Sequence, residues 1–286
     1  MFFMETKQRF SFISDLQQTL GYDKLVIVEP IGLSGGLVVM WKSCFDVEIL
    51  SSDKRIIDMK VSIGSITFFF TCVYGDPVRA RRREVWNRLV HIGLMRDEPW
   101  LLTGDFNELL SNDEKLGGDV REDSTFWDFR SMVQECKVRE LRTTGNSLSW
   151  EGVREQVWVQ CRLDRSFGND GWFHLFPKSI TEYQSMWASD HRPLRISFSL
   201  EISEHNKGRF YFDKRMLQRE GFIISTQPTD PSLCRIKRKK GAEIKNTDDI
   251  ILIITHCFKY KLRYVFTAAV PEEIQRSNIV SFVLVD

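Results

Sequence analysis

The stretch Trp100-Leu101-Leu102-Thr103-Gly104-Asp105-Phe106-Asn107-Glu108 constrains this chain more than any other. Its apolar run ends in a glycine and then presents an acid, an amide and a second acid, which reads as a buried strand whose carboxyl end opens into a polar site. If the chain stays extended through Phe106, Asp105 and Asn107 leave on one face and Phe106 packs the other way into the core. A charged acceptor and an amide donor would then lie side by side, able to orient a water and to hold a phosphate oxygen. The competing reading is an Asx-type turn, in which both residues cap backbone groups.

A formal net charge of +1 does not advertise a nucleic-acid binder and does not exclude one, so any contact with DNA has to rest on a local patch. Cys44, Cys72, Cys136, Cys161, Cys234 and Cys257 form no Cys-x-x-Cys pair and no zinc-spaced cluster, and they read as reduced thiols that are mostly buried. The N-terminus is charged too early for a secretory signal, and the apolar run from Ile250 to Ile254 is far shorter than a membrane span. The expectation is an intracellular protein without a membrane partner. Gly35-Gly36 and Gly117-Gly118 lack the strand, spacing and lysine of a nucleotide-binding loop, which argues against a nucleotide cofactor such as ATP or NAD.

Along the chain, Phe2 to Glu5 reads as a strand tail, and Thr6 can cap a helix running with Phe10, Ile13, Leu16 and Leu20. Strands are expected over 24–29, 36–41, 45–50, 55–63 and 66–74, the last four closely spaced and therefore antiparallel. Val78, Val85, Trp86, Leu89, Val90 and Ile92 fit a helix ending before Glu98-Pro99, a second helix is expected from Ser124 to Glu135, then strands over 147–150, 157–167, 180–184 and 194–200. This alternation predicts two packed sheets with helices outside them. Residues 201–222 read as a charged connector and 223–286 as an atypical, poorly ordered tail.

Three further strand ends carry polar cargo: Tyr74-Gly75-Asp76-Pro77, Asp164-Arg165 and Ser189-Asp190-His191-Arg192-Pro193. Each has a bland reading, as a packing tyrosine, a surface ion pair and a loop. Together with Glu5 and Asp105 they gather carboxylates, one histidine, one tyrosine and one amide where a sandwich fold collects its loops. The oxygen ligands suit Mg²⁺, and Asp164 could hold His191 in one tautomer and favour its charged form.

The ordered set Glu5-Thr6-Lys7, Tyr74-x-x-Pro77, Gly104-Asp105-Phe106-Asn107, Ser149-Trp150, Arg162-Leu163-Asp164 and Ser189-Asp190-His191-Arg192-Pro193 resembles the endonuclease/exonuclease/phosphatase superfamily, which includes apurinic endonucleases and DNase I. Details around Met4, Gly35-Gly36-Leu37 and Leu163-Asp164-Arg165 look most like the endonuclease domains of plant non-LTR retrotransposons. The resemblance covers residues 1–200. It implies an α+β, four-layer α/β/β/α sandwich and a Mg²⁺-dependent phosphodiesterase acting on DNA, with Mn²⁺ as a substitute metal.

By the same resemblance, Glu5 and Asp190 hold the metal, Asp105 activates the attacking water, and Asn107 and Tyr74 hold phosphate oxygens. His191, charged by Asp164, would stabilise the phosphoryl oxygens. Arg165, Arg192, Trp187, Ser149 and Trp150 would contact substrate. Arg79, Arg81, Arg82 and Arg83 read as a solvated charge run that could meet phosphates, and Arg235 with Lys237 to Lys240 as a nuclear-import signal.

One departure stands out. Members of the superfamily place an Asn-bearing strand before the Glu-bearing one, and residues 1–5 already form the latter. A sheet lacking its first strand is therefore expected, and with it an inactive remnant, unless the segment after Phe222 substitutes. The competing functions are a phosphatase on a small phosphorylated molecule and a non-catalytic, nucleic-acid-binding remnant.

Overall fold

A computed structural model describes residues 1–32, 34–186 and 189–199, and the backbone of 250–256. Strands and helices are numbered in chain order. One sheet runs β10 (Arg142–Thr144), β14 (Ile180–Tyr183), β15 (Leu194–Phe198), β16 (Ile250–His256), β1 (Phe2–Met4), β3 (Leu37–Trp41) and β2 (Lys24–Val28). The other runs β4 (Asp46–Ser52), β5 (Ile56–Ile63), β6 (Ile66–Tyr74), β7 (Trp100–Asp105), β13 (Asp164–Asn169) and β9 (Val138–Glu140). A small third sheet, β11 (Trp150–Arg154), β12 (Val157–Cys161) and β8 (Lys115–Leu116), stands beside them.

The period of two along β6 builds both cores. Phe68, Phe70, Cys72 and Tyr74 join Phe2, Met4, Val39 and Ile196 between the sheets. Phe69 and Val73 turn the other way and meet α2 (Arg82–Leu94) and α3 (Trp127–Glu135) through Val85, Trp86, Phe129 and Met132. On the far side, α1 (Phe10–Thr19) buries Ile13 and Leu16 near β2. The order is helix, sheet, sheet, helix, the four-layer α+β sandwich expected.

Several boundaries move for identifiable reasons. The expected strand over 157–167 is two strands, because Arg162 and Leu163 carry the chain from the small sheet into the second one. Residues 37–41 pair with β1 and β2 and not with β4, so the run of closely spaced strands divides between the two sheets. Thr6 does not cap α1: its amide donates to the Gly36 carbonyl and the helix starts at Phe10. Arg82 is no solvated charge, since it pairs with Glu108 at 2.8 Å, and Arg121 meets the same carboxylate at 2.7 Å.

The expected gap beside β1 is filled. β16, from the segment read as a tail, lies between β1 and β15, parallel to the first and antiparallel to the second. The backbone groups that an empty slot would have left unpaired therefore have a neighbouring strand. Residues 201–249 and 257–286, with Cys234, Cys257 and the Arg235–Lys240 basic run, lie outside the described residues. Among the described cysteines, Cys72, Cys136 and Cys161 are buried free thiols and Cys44 is an exposed one. Among the described residues no helix is long and apolar enough to cross a membrane.

Candidate active site

Strand register assembles the site. β6 and β7 run parallel with Tyr74 opposite Asp105, and β13 runs antiparallel to β7 with Asp164 opposite Asp105. Tyr74, Asp105 and Asp164 therefore form a row across three adjacent strands at one edge of the second sheet. β1 of the other sheet ends at Met4, and Glu5, just beyond it, accepts a hydrogen bond from the Tyr74 hydroxyl. From the same sheet, the loop before β15 delivers His191, whose Nδ1 lies 2.8 Å from Asp164 Oδ2.

Two glycines make this closeness possible. Gly104 has φ +143°, and a Cβ there would stand 1.9 Å from the Val73 carbonyl oxygen. At Gly75 a Cβ would stand 2.2 Å from the Phe106 carbonyl oxygen. Phe106 itself is fully buried, with its ring 5.2 Å from Phe167, 5.5 Å from Phe129 and 6.1 Å from Trp86. Emptying that place would cost about 3–5 kcal/mol, so the turn carrying Asp105 and Asn107 is pinned from beneath.

Both readings of that turn hold in part. The strand ends at Asp105 and Asn107 adopts φ +53°, so the chain does not stay extended. The Asn107 amide donates to Asp105 Oδ1 at 2.7 Å, the geometry of an Asx turn. Its side-chain Nδ2 donates to Asp105 Oδ2 at 2.7 Å and to the Gly75 carbonyl at 3.0 Å, which uses both amide hydrogens. Asn107 therefore has no donor left for a phosphate oxygen, contrary to expectation, and it orients Asp105 instead. The single Tyr74 proton is likewise directed at Glu5.

The loop 189–192 is clamped to the start of β11. Glu151 donates its amide to the Asp190 carbonyl at 3.0 Å, Arg192 donates its amide to the Ser149 carbonyl at 2.6 Å, and Trp150 Nε1 donates to Asp190 Oδ2 at 3.2 Å. Arg192 is half-buried and its Nε donates to the Leu148 carbonyl at 3.1 Å. Ser149 is fully buried and its Oγ accepts from the Leu163 and Asp164 amides at 3.0 and 2.9 Å. Ser149 and Trp150 thus hold Asp164 and Asp190 in place, and a fully buried Ser149 cannot touch substrate as expected. Trp187 lies outside the described residues.

Arg165 is the clearest correction. It is 0% exposed, pairs with Glu114, and reaches Glu140 at 3.3 Å. Alternation along β13 explains this, since Asp164 turns toward the site while Arg165 turns with Phe167 toward α3, its guanidinium carbon 5.9 Å from the Phe129 ring centre.

Electrostatics follow from the crowding of acids. Burial lowers the His191 pKa, but the charge and hydrogen bond of Asp164, joined by Asp105 and Asp190, outweigh it and push the imidazole up to about 9. The Tyr74 phenol is raised well above its ordinary range, by burial first and then by Glu5 and Asp105. His191 is thus a cation at neutral pH, held through Nδ1 by Asp164.

Two contacts escaped the sequence reading. The Tyr183 hydroxyl donates to the Asp164 carbonyl at 2.9 Å, and the Asp105 amide donates to Met4 Sδ at 3.4 Å. Neither leaves a sequence signal, because both residues look like ordinary core positions of short strands.

Among the described residues no three His, Cys, Asp or Glu side chains form a ready cage for a metal ion. Mg²⁺ keeps much of its water and takes one or two carboxylates plus phosphate oxygens, so it needs no such cage. Glu5, its side chain 31% exposed and 3.3 Å from Lys7, fits such a role, and Asp190 is exposed beside His191. A cleft of 630 Å³ opens next to Asn107 and Trp150, lined by Arg82, Lys115, Arg121 and Arg154 and by the acids Asp119 and Glu155. Trp158, Val153 and Val157 are exposed on the adjoining β11–β12 hairpin.

A model of the Endonuclease/Exonuclease/phosphatase family matches residues 1–191. No curated protein matches the chain. Among solved structures the chain is similar to the endonuclease domain of TRAS1, a telomere-specific non-LTR retrotransposon, at 10% identity and a TM-score of 0.51, covering 71% of this chain and 99% of that one. It is also similar to truncated TDP2 of Caenorhabditis elegans at 16% identity and a TM-score of 0.46, covering 69% and 83%. A third likeness, to beta toxin of Staphylococcus aureus with bound magnesium ions, has 13% identity and a TM-score of 0.41, covering 64% and 80%. At 10% identity the first of these likenesses speaks for the fold alone.

Proposed function

The chain belongs to the Endonuclease/Exonuclease/phosphatase family, and we propose that its site hydrolyses phosphodiesters in DNA with Mg²⁺, in the manner of a retrotransposon endonuclease. The observation that carries this reading is the buried His191–Asp164 pair at 2.8 Å, a fixed cation whose field is shared with Asp105 and Asp190. A fixed cation at the strand ends suits charge that builds on phosphoryl oxygens in the transition state.

In this reading Asp105, held by both Asn107 donors, accepts the proton of the attacking water. His191 Nε2 donates to a non-bridging phosphoryl oxygen, and Asp164, fixed by Ser149 and Tyr183, keeps the ring charged and oriented. Glu5 and Asp190 are the residues that would hold Mg²⁺, which when bound supplies positive charge to the phosphate oxygens. In the cleft beside Asn107, Lys115 and Arg154 offer charge to flanking phosphates, and the exposed Trp158 offers a face for base or groove contact.

Purified protein with Mg²⁺ is expected to nick supercoiled plasmid, and His191→Ala to abolish the nicking. Nicking by the variant at the wild-type rate would contradict this reading. Hydrolysis of phosphoinositides with plasmid untouched would replace it with the phosphatase reading.

A further inference from the structure

β16 lies outside the part of the chain that the family model matches, yet it flanks the strand that carries Glu5. β1 has two neighbours, β3 on one side and β16 on the other, in the register Phe2 to Ile254, Phe3 to Thr255 and Met4 to His256. The Met40 amide donates to the Met1 carbonyl. Backbone groups alternate sides along a strand, so Phe3 also faces β3, while the amides and carbonyls of Phe2 and Met4 face β16. By the same alternation Ile253 and Thr255 turn their backbone groups to β1, and Leu252 and Ile254 turn theirs to β15.

Met4 then links this ladder to the chemistry in two ways. Glu5 is the next residue, and Met4 Sδ accepts the Asp105 amide at 3.4 Å. A shift of β1 therefore moves the carboxylate proposed to hold Mg²⁺ and disturbs the support beneath the proposed base.

We propose that Ile250–His256 is a positioning strand of the site: its backbone holds β1 in register, and through Met4 it fixes Glu5 and Asp105. The functional unit thus extends past residue 199 to residue 256, and a strand from the segment that reads as an atypical tail is required. The role assigned to Glu5 and Asp105 rests on the hydrolytic reading, whereas the hold on β1 does not.

The test uses the full chain with Ile253→Pro and Thr255→Pro together, which removes the two N–H groups facing β1. Amide hydrogen exchange at Phe2 and Met4 is expected to quicken by about 100-fold while β5 and β6 keep their protection. Plasmid nicking should lose about 100-fold in kcat with KM little changed, the signature of a misplaced reacting group. Ile253→Val with Thr255→Val keeps both N–H groups and should behave as wild type. If β5 and β6 lose protection as well, Thr255→Pro alone, nearer the strand end, gives the reading.

Unchanged exchange at Phe2 and Met4 in the proline variants would overturn the proposal. If wild type nicks nothing but exchange responds as described, the hold on β1 stands and the hydrolytic reading falls.

Discussion

Asp164 and Arg165 are consecutive on β13, both charged and both buried, yet they belong to clusters of opposite design. Behind β13, Arg165 and Arg162 meet Glu114 and Glu140, two cations for two anions, with the Arg162–Glu140 contact at 2.6 Å. Burial pushes the Glu140 carboxyl up while Arg165 and Arg162 pull it down, a set that neutralises itself. In front of β13, Asp105, Asp164 and Asp190 act together on the single imidazole of His191. These acids together raise the pKa of the base among them. The first cluster ties the segment before β8 to β9 and β13, whereas the second shifts the titration of a buried base, as functional sites do.

The sharpest way to break this contrast is to remove one charge from each side. His191→Ala should cost roughly two to four orders of magnitude in rate, and the protein should still fold, less stably because buried Asp164 loses its partner. Arg165→Ala should cost stability and spare the rate. Leaving Glu114 and Glu140 without their buried partner should cost about 3–5 kcal/mol of stability in a denaturant titration, with KM for plasmid unchanged. If Arg165→Ala instead raises KM at constant stability, the arginine contacts substrate after all and the contrast fails.

The pH dependence sharpens the same point. His191 has a folded pKa of about 9 against an ordinary 6.5, so its contribution to stability is complete below 6.5 and is lost as pH rises through about 9. Denaturant midpoints measured from pH 6 to pH 10 should therefore fall by the equivalent of about 3 kcal/mol, and Asp164→Asn should remove most of that fall. Activity that needs charged His191 should decline over the same alkaline range. A smaller effect is expected at Ser149, whose Oγ accepts two buried amides. Ser149→Ala should cost about 1–3 kcal/mol of stability, with a loss of kcat and little change in KM.

Much of the architecture is legible in the sequence because continuous apolar runs over Phe68 to Val73 and Trp100 to Leu102 mark strands buried on both faces. The convergence of Glu5, Tyr74, Asp105, Asp164 and His191 is legible as a repeated grammar of apolar strand and polar end. What is not legible is which member of a pair of adjacent charges faces the site. Arg165 and Asp164 are separated by strand alternation, and the direction of that alternation is set by Phe167 packing on Phe129, a long-range contact. The amide of Asn107 is a second case, since its donors are consumed by Asp105 and by the Gly75 carbonyl, 32 residues away. β16 is the third. Its pairing partners lie at the far end of the chain, and a short apolar run does not reveal which sheet it will enter.

The central claim is that Asp164 makes a buried, charged imidazole at the strand ends. The most direct measurement follows the His191 ring by NMR across pH, in the wild type and in Asp164→Asn. The wild-type ring should titrate near 9, and the ring in the variant should fall to 6.5 or below as burial takes over. A wild-type ring that titrates at or below 6.5 would contradict the account, for His191 would then be neutral at the pH where phosphodiester cleavage is assayed.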